Sequence, residues 1–196
     1  VLPDARHVYV YADAVPSASL RPSPPLPLCA MNSSATTEVE LDGLFVPKEN
    51  WVKFSTREEM ARGDFHGIAG AVAPPLGCAR GSLKVLRDAA AKRPALTAIA
   101  HSADMLAREI DTCRNEAYRW AGSSKDAPDY KAGALAARAA AITLGVRAAH
   151  SAVTASGGGA NALTHPAQRL YREAMFYTLT AQTADIMAAT LESLQH

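Results

Sequence analysis

Two repeat lengths divide the chain. Near its start the side chains alternate, with Val8 and Val10 facing one way and Tyr9 and Tyr11 the other, which is the two-residue period of a strand. The stretch "TTEVELDGLFVP" does the same: Val39 and Leu41 oppose Glu38 and Glu40, and Asp42-Gly43 forms a predicted turn before Leu44–Val46. At "STREEM" the period lengthens, because Thr56 and Glu59 have the spacing of a capping box. Beyond it, Leu96, Ile99, Ala103, Leu106, Ile110, Cys113, Ala117 and Trp120 step by threes and fours. So do Leu135, Ala139, Ile142, Val146, Ala149 and Val153, and then Leu170, Ala174, Tyr177, Ala181, Ala184, Ala188 and Leu191. Each is the stripe of a helix with one buried face. The pattern predicts β structure and loop over residues 1 to about 54. Four helices follow, at about 57–92, 95–121, 129–155 and 166–194, the first kinked or interrupted at Pro74-Pro75. The alanine-rich seams allow close approach, so the chain is expected to be mainly α, an up-down four-helix bundle behind a partial antiparallel β-domain.

Seven of the 12 prolines fall before residue 50. Pro22, Pro24, Pro25 and Pro27 make "RPSPPLPL" extended and poor in donors, an edge or a loop. Lys and Arg total 20 against 19 Asp and Glu, so no long-range field gathers nucleic acid or an anionic membrane, and neither is an expected partner. Charges and prolines break the apolar runs short of the ~20 residues of a spanning helix. Cys29, Cys78 and Cys113 are odd in number and lack a C-x-x-C pair, which favours reduced thiols, a cytoplasmic setting and no zinc. The opening "VLPDARHVYVY" has no basic stretch followed by an apolar one, so it reads as the middle of a protein, not as a signal peptide.

Candidate chemistry concentrates late, in "SGGGANALTHPAQRLYREAMFYTLTAQT". Glycines admit positive φ and let a backbone or ligand approach without a Cβ in the way, and a helix start offers free N–H groups to anions. Taken alone, a triple glycine between helices is a C-cap and a tight connection. His165 then stands at a helix start, with Thr164 capping and Pro166 in the first turn. His66, His101 and His150 lack carboxylates at ligand spacing. Asp104 and Arg108 have the spacing of an exposed ion pair. Tyr171, Phe176 and Tyr177 are expected to pack.

Two phrases together resemble the acyl-CoA dehydrogenase family. "MNSSATTEVELDGLFVPKENWV" is similar to the segment closing that family's middle β-domain, through Asn32, Thr36, Glu38, Val46, Pro47 and Asn50. "SGGGANALTHPAQRLYREA" resembles its glycine loop and the helix that follows, through Gly157, Gly158, Pro166, Arg169, Arg172, Glu173 and Ala174. The resemblance implies that residues 1–54 end the β-domain and that 55–196 form the helical-bundle domain. It also implies FAD as cofactor, acyl-CoA or another small molecule as substrate, and a homodimer or homotetramer in which the glycine loop reaches the adenine-nucleotide end of a neighbour's FAD. Gly157 and Gly158 are therefore cofactor-binding candidates. Arg172 and Glu173 are expected to orient helices through ion pairs. By the same resemblance Val1 falls inside the β-domain, and the chain carries half an active site.

Departures from the family pattern shape the functional expectation. The family's "R-x-x-F-G" FAD motif is represented by Arg93 and Leu96, with Thr97 in the glycine position, and Thr154 stands where a glutamine usually precedes the double glycine. The catalytic glutamate of its "E-G-T" is replaced by Ala181, followed by Gln182, while Thr183 keeps the threonine and joins the cofactor-binding candidates. Neither alanine nor glutamine serves as a general base. Some relatives take the base from the first bundle helix, where Glu58, Glu59 and His66 are ionisable. The leading expectation is the C-terminal part of an FAD-dependent oxidoreductase for α,β-dehydrogenation of an acyl-CoA thioester. Its rivals are a flavin-dependent monooxygenase of the same fold, which does not need the glutamate, and a non-catalytic assembly module with a worn cofactor site.

Overall fold

The computed structural model describes residues 6–195. The chain divides into two compact units with the boundary between Phe65 and His66. In the first, β1 (His7–Val10) and β2 (Leu20–Pro22) each find an antiparallel partner, β1 with β4 (Trp51–Ser55) and β2 with β3 (Val39–Leu41). The expected run through Asp42-Gly43 into a strand at Leu44–Val46 does not form: Gly43 turns with φ 61°, and β3 pairs backward with β2. The proline-rich segment explains the pairing. Between its prolines the free amides remain, and Ser23 N–H donates to Glu38 O at 2.8 Å while Leu26 N–H donates to Thr36 O at 2.8 Å. The capping box opens α1 (Arg57–Gly67) as predicted: Glu59 N–H donates to Thr56 Oγ1 at 3.1 Å, and Thr56 N–H to Glu59 Oε2 at 2.9 Å.

The second unit is helical. It holds α2 (Ala73–Lys92), α3 (Thr97–Gly122), α4 (Tyr130–Ser156), α5 (Pro166–Leu179) and α6 (Ala184–Ser193). Two of the four predicted rods are therefore interrupted. The first breaks after Gly67, and Pro74 and Pro75 stand in the opening turn of α2. A proline has no N–H to miss there, so it begins a new helix without kinking an old one. The last rod breaks at Thr180–Thr183, where Ala181 takes φ 51°. That break resets the helical phase. Leu170 and Ala174 are buried as the stripe requires, whereas Ala184, Ala188 and Leu191 are exposed, and Ile186 and Thr190 take their place inside.

The stripe on α3 is buried from Ile99 through Trp120, and burying each of its larger aliphatic side chains contributes about 1.5–3 kcal/mol. Leu96 alone departs, 53% exposed, because its backbone precedes the helix (φ −92°, ψ 72°) and leaves the stripe. α4 is the axis of the bundle and packs against α2, α3, α5 and α6. Its residues are small because neighbours stand on nearly every side; at Gly133 an added Cβ would lie 1.9 Å from the Trp120 ring. The span Tyr130–Asn161 is long and apolar enough to cross a membrane, contrary to the sequence expectation, but burial in the bundle accounts for that composition.

Candidate functional site

The antiparallel course of α2 to α5 brings two connections to one end of the bundle. Arg93 ends α2 and Leu96 precedes α3, while Gly157 ends α4 ahead of the short 3-10 segment Gly157–Asn161. An Arg93 Nη1–H donates to Ala155 O, tying the two connections together. Gly157 has φ 63° and ψ −152°, a backbone region open essentially to glycine alone, and holding an L residue there costs about 1–3 kcal/mol. No atom lies within 4 Å of a Cβ built on Gly157, Gly158 or Gly159, so the glycines face open space. α3 starts without any side-chain cap, which leaves its first N–H groups available to an anion.

Two clefts flank Arg93. One of about 270 Å³ is lined by Lys92, Arg93, Ser156 and His165, and one of about 310 Å³ by Arg93, Leu96, Ser102, His150 and Thr154. At the start of α5 the cap is His165 itself, whose Nδ1 accepts from Ala167 N–H at 3.2 Å; the expected Thr164 cap is not formed. The imidazole reaches its own helix start because Pro166 fixes the backbone of the first turn. The donor set of this bundle end, a cation, an open helix start and unobstructed glycines, fits a pyrophosphate.

Thr183 lies elsewhere. α5 has 14 residues, so the turn after it stands about 20 Å from the glycine connection. There Thr183 caps α6, its Oγ1 accepting from Ile186 N–H at 3.3 Å. Within one chain, then, Arg93, Leu96, Gly157 and Gly158 come together and Thr183 does not join them.

The turn Thr180–Thr183 rests on a residue that the stripes did not reveal. Arg138 of α4 is 2% exposed, and its Nη2–H donates to Thr180 O at 2.9 Å. Its Nε and Nη1, and Oε1 of Gln182, are buried without a hydrogen-bond partner. Burial draws the Arg138 guanidinium below its usual value, though an arginine remains charged. The available signal was one basic residue among small ones at helical spacing, Ala134, Arg138, Ala141 and Gly145, all buried.

No carboxylate stands at Ala181, and of the other candidates for a base Glu59 is engaged as a helix cap. The Glu59 carboxyl is held below its ordinary value by the Thr56 N–H and then the Ser55 hydroxyl, as a cap. The carbonyl of His66 accepts from Tyr130 Oη–H at 3.4 Å. Glu173 pairs with Arg169 at 2.6 Å on the surface of α5. Arg108 contacts Met105 Sδ, and among the described residues it forms no ion pair with Asp104. The rings of Phe176 and Tyr177 pack edge-on at 5.7 Å, and Tyr171 lies against His150. Among the described residues no cluster of His, Cys, Asp and Glu could hold a metal ion. The larger groove of about 660 Å³ runs between α3 and α4, floored by Gly133, Ala136, Ala137 and Ala140, and includes none of the predicted site residues.

Comparison with known proteins identifies the architecture. The family model "Acyl-CoA dehydrogenase, C-terminal domain" matches residues 66–193. Butyryl-CoA dehydrogenase from Megasphaera elsdenii superposes with a TM-score of 0.73 at 19% identity, covering 91% of this chain and 49% of that one. The HsaA monooxygenase from M. tuberculosis gives 0.69 at 14%, covering 91% and 55%. XiaF from Streptomyces sp., solved in complex with FADH2 and glycerol, gives 0.66 at 20%, covering 92% and 54%. The chain thus spans about half the length of these structures. A search of curated proteins found no match.

Proposed function

The chain belongs to the acyl-CoA dehydrogenase family, and from that premise we propose that it is the C-terminal half of an FAD-dependent oxidoreductase. In this reading residues 1–54 end the family's β-domain and 55–196 form its helical domain. The observation that carries the proposal is the convergence of Arg93, the uncapped start of α3 and the open Gly157–Gly158 backbone at one bundle end. Arg93 and the α3 amides bind the anionic pyrophosphate, and the glycines admit it. Leu96, exposed at the same place, supplies an apolar face, and Thr183 orders the start of α6 at the opposite connection. The chemistry FAD brings is hydride acceptance from an acyl thioester.

A second copy supports both ends. Tyr171, Met175 and Leu179 form an exposed line along α5, and Met187, Leu191 and Leu194 are exposed along and just beyond α6. Such stripes suit burial in a homodimer or homotetramer.

Ala181 favours a second reading. With no side-chain base at this turn, α-proton abstraction from an acyl-CoA needs a carboxylate from another part of the full protein, whereas oxygen activation by a flavin-dependent monooxygenase does not. The similarity to a monooxygenase is compatible with it. The test is FAD titration of the full-length protein. A bound, yellow flavin is expected, with uptake weakened in Arg93→Ala; a colourless protein that takes up no FAD would leave only the assembly module. Once loaded, bleaching by acyl-CoA without oxygen marks the dehydrogenase, and oxygen uptake by the reduced protein without an acyl-CoA effect marks the monooxygenase.

A further inference from the structure

A guanidinium removed from water needs compensation, because desolvating an ion costs several kcal/mol even after the protein relaxes. Arg138 has no carboxylate to supply it: among the described residues none of the ion pairs includes it. Its contact is the carbonyl of Thr180, which is the C-cap of α5. The last carbonyls of a helix lack partners within it and carry the negative end of the helix dipole, so a cation there is favoured. The positive charge of α4 thus answers the end of α5.

The same turn shows a second anomaly. Ala181 adopts φ 51° although it is not glycine, and such a residue persists where its surroundings over-determine it. Contacts hold it on both sides. Thr180 N–H and Oγ1–H both donate to Phe176 O, at 3.1 and 3.0 Å. Thr183 caps α6, and Lys131 of α4 pairs with Asp185 of α6 at 2.7 Å. Arg138 is the member of this set that reaches the turn from inside the bundle.

We propose that Arg138 is a positioning residue: from the core of α4 it fixes the α5–α6 turn, and with it the place of residue 181. This rests on the family reading, in which position 181 is where a catalytic carboxylate is common. The placement outlasts the carboxylate here, since the clamp holds main chain and does not depend on the side chain it carries. The unused Nε–H and Nη1–H and the Gln182 Oε1 are donors and an acceptor of the kind that an ordered water bridges.

The proposal is tested on the intact chain without flavin, so a protein that fails to bind FAD still gives an answer. Amide exchange is followed at Thr180, Ile186 and Met187, whose N–H groups bond within the turn. Arg138→Met, which keeps most of the apolar stem, is expected to speed exchange at these amides about tenfold or more while core amides of α3 change little. Arg138→Lys, which retains the charge, brings the rates back toward the wild type. In a Cys29→Ser background, a thiol placed by Ala181→Cys serves as a reporter of charge. Its alkylation profile is expected to move to higher pH with Arg138→Met and to return with Arg138→Lys, a response that loss of packing alone would not produce. Unchanged exchange at the turn in Arg138→Met overturns the proposal, as does loosening spread evenly over α3, α4 and α5. The wild type alone provides a check if Arg138→Met does not fold: in dilute urea the turn amides should open together with the α4 core, and separate early opening would also overturn it.

Discussion

Two arginines each reach the carbonyl end of a helix, and they do so in opposite circumstances. Arg93 bonds Ala155 O at the end of α4 from the surface, beside a glycine of positive φ. Arg138 bonds Thr180 O at the end of α5 from the interior, beside a left-handed alanine. The glycine connection adopts its conformation without strain and leaves Arg93 with donors facing solvent, so that end is free to take a ligand. The alanine turn needs an internal clamp, and the charge of Arg138 is committed to the fold. A similar contact thus makes a binding surface in one place and a fixed support in the other.

The largest expected effect separates the two arginines directly. Arg138→Ala removes buried methylenes and a charged hydrogen bond, and it should cost on the order of 3 kcal/mol. Arg93→Ala, at the surface, should stay within about 0.5 kcal/mol. Urea denaturation of both variants measures the contrast, and equal losses would erase the distinction between support and binding surface.

Much of this contrast was invisible in the chain itself. The stripe on α3 and the capping box at Thr56 and Glu59 could be read directly because they depend on local spacing, and both are present. Arg138 could not be read in that way: the exposed face of α4 is itself largely alanine in its first half, at Ala132, Ala136 and Ala140, so the sequence draws no contrast that marks a neighbouring charge as buried. The break at Thr180–Thr183 was hidden for a related reason. "TAQT" contains no glycine or proline to announce a left-handed residue, and tertiary contacts supply what local preference does not. The convergence of Arg93 with the glycine run was legible only through resemblance to a family, since 62 residues separate Arg93 from Ala155.

The next effect concerns how α5 is held along its length. Cys78 of α2 donates its S–H to Leu170 O at 3.2 Å, an anchor in the middle of the helix whose end Arg138 holds. Burial, and then the charge of Glu173, push the Cys78 thiol from its ordinary 9.0 up to about 11. The folded state therefore binds this proton more tightly than the unfolded state. Its contribution is full below pH 9 and is lost as pH rises toward 11, a loss of about 2–3 kcal/mol. Melting temperatures across that window should fall more steeply in the wild type than in Cys78→Ala, whose starting stability is lower. Parallel slopes would mean that the middle anchor does not titrate as its burial requires.

The two residues of positive φ, Gly157 and Ala181, give the smaller effects. Gly157→Ala meets no atom, so only backbone strain opposes it, about 1–3 kcal/mol. If the loop serves the proposed pyrophosphate, FAD uptake should fall further than stability does, because the added methyl stands where the ligand approaches.

Ala181→Gly is the reverse exchange and the finest test. Removing the methyl relieves about 1 kcal/mol of left-handed strain in the folded state. Glycine also enlarges the unfolded ensemble, which costs roughly 0.5–1 kcal/mol. The two nearly cancel, so the midpoint of denaturation should move by less than about 0.5 kcal/mol in either direction. The local behaviour of the turn then carries the information. If Arg138 fixes the main chain, exchange at Ile186 and Met187 in Ala181→Gly should match the wild type, because the clamp acts on the Thr180 carbonyl and not on the alanine methyl. If those amides open faster, the methyl itself holds the turn, and Ala181 becomes a packing residue kept for its own contacts.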